Sequence, residues 1–179
     1  MNPDNTPAAL QSQVSGSSFY AVRRVLPKAE REAMYAVYGF CRIVDDIADD
    51  EEGDRADRAA ALDLWRKDID SLYAGGDPGR AALVAEAVRR FGLDKADFHA
   101  VIDGMATDTA DFVRYPSFEE LDLYCDRVAS AVGRLSVKIF GMDDAEGVTL
   151  AHHLGRALQF TNILRDIDED AAIGRVYLA

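Results

Sequence analysis

Gln159-Phe-Thr-Asn-Ile-Leu-Arg-Asp-Ile-Asp-Glu-Asp170 combines apolar residues at helical spacing with a repeated row of amides and carboxylates. It sits inside a long apolar-periodic run opened by Asp143-Asp144-Ala145-Glu146. As a helix, the run sets Gln159, Asn162, Asp166 and Asp170 along one side, because residues three and four apart are neighbours. Around them stand Leu154, Ala157, Leu158, Phe160, Ile163, Leu164 and Ile167. A helix that is oily almost all round is expected inside a core. Amides and carboxylates on such a helix need a cation to meet them, since an unpaired buried charge costs more than its packing returns.

A second stripe of the same kind lies near the other end of the chain. Tyr38, Arg42, Asp45 and Asp49 follow i, i+4, i+7, i+11 on a run, expected to be helical from Lys28 to Asp49, that also carries Val37, Phe40, Ile43, Val44 and Ile47. It ends in Asp49-Asp50-Glu51-Glu52-Gly53, placing negative charge where the helix dipole is already negative. A cation there would relieve that local penalty. Five Asp-x-x-x-Asp pairs occur among the 23 Asp, against about three expected by chance, so the spacing alone carries little. Asp122 and Asp126 read as a solvated face. The 45/49 and 166/170 pairs differ because each lies on an oily helix with a donor or amide one to two turns upstream.

The remaining chain reads as all-α. Proline is rare, Ala, Leu and Arg are abundant, and no alternating β-branched run competes. Residues 1–14 are polar and expected to be a flexible N-terminus. A short helix is expected from Phe19 to Leu26, stopped by Pro27. Asp54 to Tyr73 reads as a surface helix with Leu62, Trp65, Ile69 and Leu72 inward and Arg55, Arg58, Arg66 and Asp70 outward. After a Gly/Pro loop at 75–79, helices are expected from Arg80 to Phe91 and from Asp94 to about Ala110. Ser117-Phe-Glu-Glu120 is a capping box before one continuous helix, Leu121 to Phe140, stopped by Gly141. That helix mixes Tyr124, Val128, Val132, Leu135 and Ile139 with the small residues Ala129, Ser130, Ala131, Gly133 and Ser136. Small side chains there either admit a close neighbour or leave room for a ligand.

At 179 residues and 49% hydrophobic, the chain can form one domain with a real core. A net charge of -12 argues against nucleic acid, whose phosphates need clustered Lys and Arg. It leaves room for a diphosphate, because divalent metals held by carboxylates reverse the local sign. Magnesium fits the pattern: it takes oxygen ligands, usually one or two carboxylates per ion, and is completed by substrate phosphates. Two Asp pairs on facing helices would hold such ions between them, and Arg42 and Arg165 are suited to the remaining phosphate oxygens. Cys41 and Cys125 read as reduced packing residues. His99, His152 and His153 make no zinc spacing, and there is no Gly-rich phosphate loop or nucleophile elbow. With neither a signal peptide nor a membrane-length apolar run, the expected location is the cytoplasm.

Four motifs in order resemble the squalene/phytoene synthase family: Gly16-Ser-Ser-Phe-Tyr20, Tyr38-Gly-Phe-Cys-Arg-Ile-Val-Asp-Asp-Ile-Ala-Asp49, Tyr124-Cys-Asp-Arg-Val-Ala-Ser-Ala-Val-Gly133, and Gln159 to Asp170 followed by Gly174-Arg-Val-Tyr177. In detail they look most like its hopanoid-pathway branch, which makes presqualene diphosphate. The resemblance implies an isoprenoid-synthase helical fold and head-to-head condensation of two farnesyl diphosphates, with phytoene or dehydrosqualene formation as alternatives and NADPH used only where squalene is the final product. It implies two or three magnesium ions on Asp45, Asp49, Asp166 and Asp170, with Asn162 assisting and Gln159 lining the site. By the same resemblance Ser18, Arg42, Arg165 and Arg175 handle diphosphate. Phe19, Tyr38 and Tyr124 lie beside the reacting carbons, where aromatic faces stabilise a carbocation, and Val128, Ala129, Val132 and Gly133 form the tunnel wall. Family members continue past the Gly-Arg-Val-Tyr stretch, so residues 15–179 are expected to be the N-terminal portion of one synthase domain, associated peripherally with the inner membrane face. A non-catalytic assembly protein and an acid-rich bundle without a ligand are the competing readings.

Overall fold

The computed structural model describes residues 26–49, 54–108, 116–142 and 144–178, apart from the side chain of Asp108. The expected N-terminal tail, the helix before Pro27 and the acidic run at 50–52 lie outside these residues. Within them the chain is helical, with no strand.

Helix α1 spans Lys28–Ala48 and opens after Pro27, whose fixed φ suits a helix entry. Its residues Met34, Val37, Phe40 and Val44 recur at helical spacing and are all buried. Helix α2 (Arg55–Tyr73) is capped by the Asp54 carboxylate, which accepts from the Asp57 amide. It turns Leu62, Trp65 and Ile69 inward. A 3-10 turn at Gly79–Ala81 leads into α3 (Ala82–Phe91), which ends at Gly92 with φ of 60°. A side chain is strained in that left-handed conformation, which is why a glycine stops the helix. Helix α4 (Lys95–Asp108) buries Phe98, Val101 and Ile102. The stripes of α1, α2 and α4 meet at Phe40, whose ring lies edge-on to Trp65 at 5.5 Å and to Phe98 at 5.1 Å. Such aromatic pairs add specific geometry to a large buried area.

The expected helix from Leu121 to Phe140 is interrupted. Helix α5 (Phe118–Cys125) begins with the predicted capping box, Ser117 and Glu120 each bonding to the other's backbone. A π-helical turn follows at Asp126–Ser130, and α6 (Ala131–Ile139) continues from it to Gly141. Spacing of apolar residues does not register one extra residue in a turn, so the interruption could not be read from the pattern.

The second acidic run also departs from expectation. Helix α7 (Ala145–Arg165) stops at Asp166, and a short α8 (Ile167–Ala172) restarts from it. Helix α7 is not enclosed by core. Its buried residues are Gly147, Ala151, Gly155 and Ile163, while Leu154, Leu158 and Leu164 are 50%, 57% and 59% exposed. The small residues choose the packed face. Gly133 sits against Ala151 and Gly155 against the Ser130 backbone, so α7 lies close on the α6 side. Close backbone approach, rather than bulk, selects this packed stripe, and Leu154, Leu158 and Leu164 lie off it.

Candidate functional site

The two acidic motifs come together. Arg175, just after α8, extends a guanidinium to Asp49 at the C-terminus of α1, with both Nη1 and Nη2 at 3.2 Å from Oδ1. Asp49, Asp166, Asp170 and Arg175 line one hollow of about 450 Å³, together with Ala48, Arg58, Glu169 and Ile173. A second hollow of about 390 Å³, between α1 and α3, has none of the residues singled out by sequence.

Each acid has a defined setting. Asp45 is held above the usual carboxylate range, first by burial and then by Asp49, with Arg42 opposing. Burial likewise raises Asp170, against the pull of Arg175, and Asp166, Glu169 and Asp49 push it further. Asp170 thus feels the charge of Asp49 from the first acidic motif. Asp166 lies below the usual range because Arg165 grips it with two bonds, Nε to Oδ1 at 2.6 Å and Nη2 to Oδ2 at 2.5 Å. The break at Asp166 preserves its neighbour relation to Asp170, whose amide donates to the Asp166 carbonyl at 2.8 Å. Asn162 closes α7 by accepting the Asp166 amide on its carbonyl.

The arginines expected to meet diphosphate lie on the acids themselves. Arg42 donates to Asp45 at 3.1 Å and pairs with Asp46 at 2.9 Å. Arg165 points along Asp166 and is largely exposed. Tyr124 stacks on Tyr177 at 5.2 Å within a small apolar cluster that includes Leu121, Phe160 and Ile163. Of the small-residue wall, Val128 lies against Gly104 of α4, Val132 joins the main core and Gly133 faces Ala151. Tyr38, Ala129 and Gln159 are half-buried. Ser18 and Phe19 lie outside the described residues.

Arg58 and the Asp122/Asp126 pair stand differently from the sequence expectation. Arg58, placed outward, lines the acidic hollow. It stands four residues before Leu62, on the stripe continued by Trp65 and Ile69, and that spacing was the available signal. Asp122 and Asp126, read as a solvated face, are bound by arginines. Arg156 donates to Asp122 through Nε at 2.7 Å and Nη2 at 2.9 Å, and Nη1 reaches Asp126 at 3.0 Å. Arg134 joins Asp126 at 3.1 Å to the buried Asp97 at 2.6 Å. These pairs are 8 to 37 positions apart in the chain, too far for local spacing to reveal. Cys41 and Cys125 are free thiols, pushed up to about 12 and about 11 by burial, as suits packing residues.

A divalent metal suits this donor set. Carboxylate oxygens of Asp49, Asp166 and Asp170 face a shared hollow that Asp45 does not line, and the carboxyls of Asp170 and of Asp45, four residues before Asp49, are raised by burial and like charge, which a cation would relieve. Among the described residues no three carboxylates, thiols or imidazoles are gathered closely enough to coordinate one ion. Arg175 spans the gap instead.

Residues 13–179 match the squalene/phytoene synthase family. The chain is 65% identical over 171 residues to a presqualene diphosphate synthase of Zymomonas mobilis, covering 94% of this chain and 59% of that protein. To the enzyme of the same name from Rhodopseudomonas palustris it is 60% identical over 172 residues, 96% of this chain and 61% of that protein. The fold superposes on a crystallised squalene synthase of Alicyclobacillus acidocaldarius with a TM-score of 0.78 at 32% identity, over 95% of this chain and 64% of that one. The chain thus spans about 60% of the length of these relatives.

Proposed function

The chain belongs to the squalene/phytoene synthase family, and from that premise we propose that it carries the metal and diphosphate face of an enzyme condensing two farnesyl diphosphates head to head into presqualene diphosphate. The observation that carries the reading is the Asp49–Arg175 contact, which brings the first acidic motif to the second across 126 positions of chain. The names of the two relatives above, at 65% and 60% identity, favour presqualene diphosphate over phytoene as product.

Asp45 and Asp49 on one side, and Asp166 and Asp170 with Asn162 on the other, would hold magnesium. Bound there, the ions supply Lewis-acid neutralisation of charge on a departing diphosphate. Arg42, Arg165 and Arg175, now paired with carboxylates, carry the planar forks that phosphate oxygens fit. Tyr124, packed against Tyr177, presents an aromatic face suited to a developing allylic cation. Phe160, Ile163 and Leu121 around that pair exclude water that would quench it.

Among the described residues no helix is long and apolar enough to cross a membrane. The proposed setting is the cytoplasm, with peripheral contact at the inner membrane face where farnesyl chains partition. The test is product analysis on the complete gene product with magnesium. Presqualene diphosphate from farnesyl diphosphate, abolished by chelation, is the expected result, with squalene appearing only if NADPH is used. A C40 product from geranylgeranyl diphosphate would replace the reading with phytoene formation. No condensation of either substrate would favour a non-catalytic assembly role.

A further inference from the structure

The π-turn at Asp126–Ser130 is held by contacts from three neighbouring helices. Arg156 of α7 reaches both of its ends, with Nη1 donating to Asp126 at 3.0 Å and to Ser130 Oγ at 3.0 Å. Ser130 Oγ in turn donates to the His152 carbonyl on the same helix at 3.1 Å. Arg134, one turn into α6, donates to Asp126 from the other side and anchors on Asp97 of α4. Two glycines let the turn be gripped from both flanks. A Cβ on Gly155 would lie 2.7 Å from the Ser130 Cα and amide nitrogen, and a Cβ on Gly104 would lie 2.6 Å from Val128.

One extra residue in a helical turn rotates everything after it relative to everything before it. Before this turn is Tyr124, stacked on Tyr177 two positions past Arg175. After it come Val132 in the main core and Gly133 against α7. We infer that Arg156, supported by Arg134, is a positioning residue: by bracketing Asp126 and Ser130 it fixes the rotation between Tyr124 before the turn and Val132 and Gly133 after it. Its catalytic consequence rests on the proposed prenyl synthase reading, whereas its structural part does not. Neither arginine touches the acidic hollow, so substrate affinity and metal dependence belong to other residues. A displacement of about 1 Å at reacting atoms costs on the order of 100-fold in rate.

The experiment is made on the complete gene product with Arg156→Gln, its conservative partner Arg156→Lys, and Arg66→Gln as an ion-pair control. Arg66 joins α2 to Asp103 of α4, and its hydrogen bonds go to Asp63 and Asp103. Amide exchange over 126–130, read without substrate, should accelerate in Arg156→Gln alone. With farnesyl diphosphate and magnesium, kcat should fall by more than about tenfold while KM stays within about threefold, and a larger share of product should be water-quenched prenyl alcohol. Arg156→Lys should recover part of that loss. Unchanged exchange at 126–130, or an opened turn with unchanged kcat and product ratio, would overturn the inference. If Arg156→Gln does not fold, Gly155→Ala applies the same test, because it pushes Ser130 while leaving every charge in place. A wild-type protein without condensation activity would sink the proposed function, and the exchange result would then decide the positioning role.

Discussion

Replacing Asp45 with asparagine should separate folding from function. In the metal-free protein this carboxylate gains little from its surroundings: burial and Asp49 disfavour its charge, while the Arg42 pair that supports it is half exposed. Half-exposed pairs of this kind contribute about 0 to 1 kcal/mol. Asp45→Asn should therefore change unfolding free energy at neutral pH by no more than about 1 kcal/mol, measured by urea denaturation in chelator. The pH dependence has a definite sign. A carboxyl whose folded value lies above its unfolded one favours folding fully below the unfolded value, near 3.9, and loses that contribution as pH climbs through the folded value. Asparagine does not titrate, so the stability difference should move in the variant's favour across that window and stay flat above it. Ligand protection gives the second readout. Magnesium with a non-hydrolysable farnesyl diphosphate analogue at 100 times its Kd should stabilise wild type by about 2.7 kcal/mol. If losing Asp45 weakens binding by about 10- to 100-fold, the same concentration should stabilise the variant by only about 1.4 to 0.4 kcal/mol. A variant that unfolds about 3 kcal/mol more easily without metal, well outside the range for such a pair, or that keeps the full ligand protection, would refute this account of Asp45.

Three further outcomes test the fold around the site. Phe40→Ala, at a fully buried ring joining Trp65 and Phe98, should cost about 3–5 kcal/mol in urea unfolding with an unchanged slope. Gly155→Ala should destabilise by roughly 0–2 kcal/mol, because about 1–3 kcal/mol of overpacking against the Ser130 backbone exceeds the ~1 kcal/mol gained in helix propensity. A clear rise in Tm would contradict it. Asp144→Ala removes the acceptor for the Gly147 amide at the start of α7 and should cost about 1 kcal/mol, seen as a lower urea midpoint.

Much of the architecture was legible because it follows from local chemistry. The ends of α1, α2 and α3, the Ser117 capping box and the glycine stops are written in residues a few positions apart. The spacing of Asp45 to Asp49 and of Asp166 to Asp170 follows the same local rules, and the structure sets Asp49, through Arg175, beside the hollow lined by Asp166 and Asp170, while Asp45 lies outside that lining. The failures share a physical cause. The sequence does not show which face of α7 another backbone can approach. There the small residues Ala151 and Gly155 take the packed side against Gly133 and Ser130, so Leu154 and Leu158 turn outward. Nor does it show that Arg134 of α6 and Arg156 of α7 both reach Asp126, or that one extra residue sits in the turn between α5 and α6.

In the proposed function, carboxylates from α1 and from the α7–α8 junction share divalent ions. This sharing is tested most directly by crystallising the complete gene product with Mn²⁺ and a non-hydrolysable farnesyl diphosphate analogue, then locating the metal by its anomalous signal. Peaks bound by Asp45 or Asp49 on one side and by Asp166 or Asp170 on the other, joined through the analogue's diphosphate, are expected. Metal confined to one motif, or a diphosphate bound away from both, would contradict it.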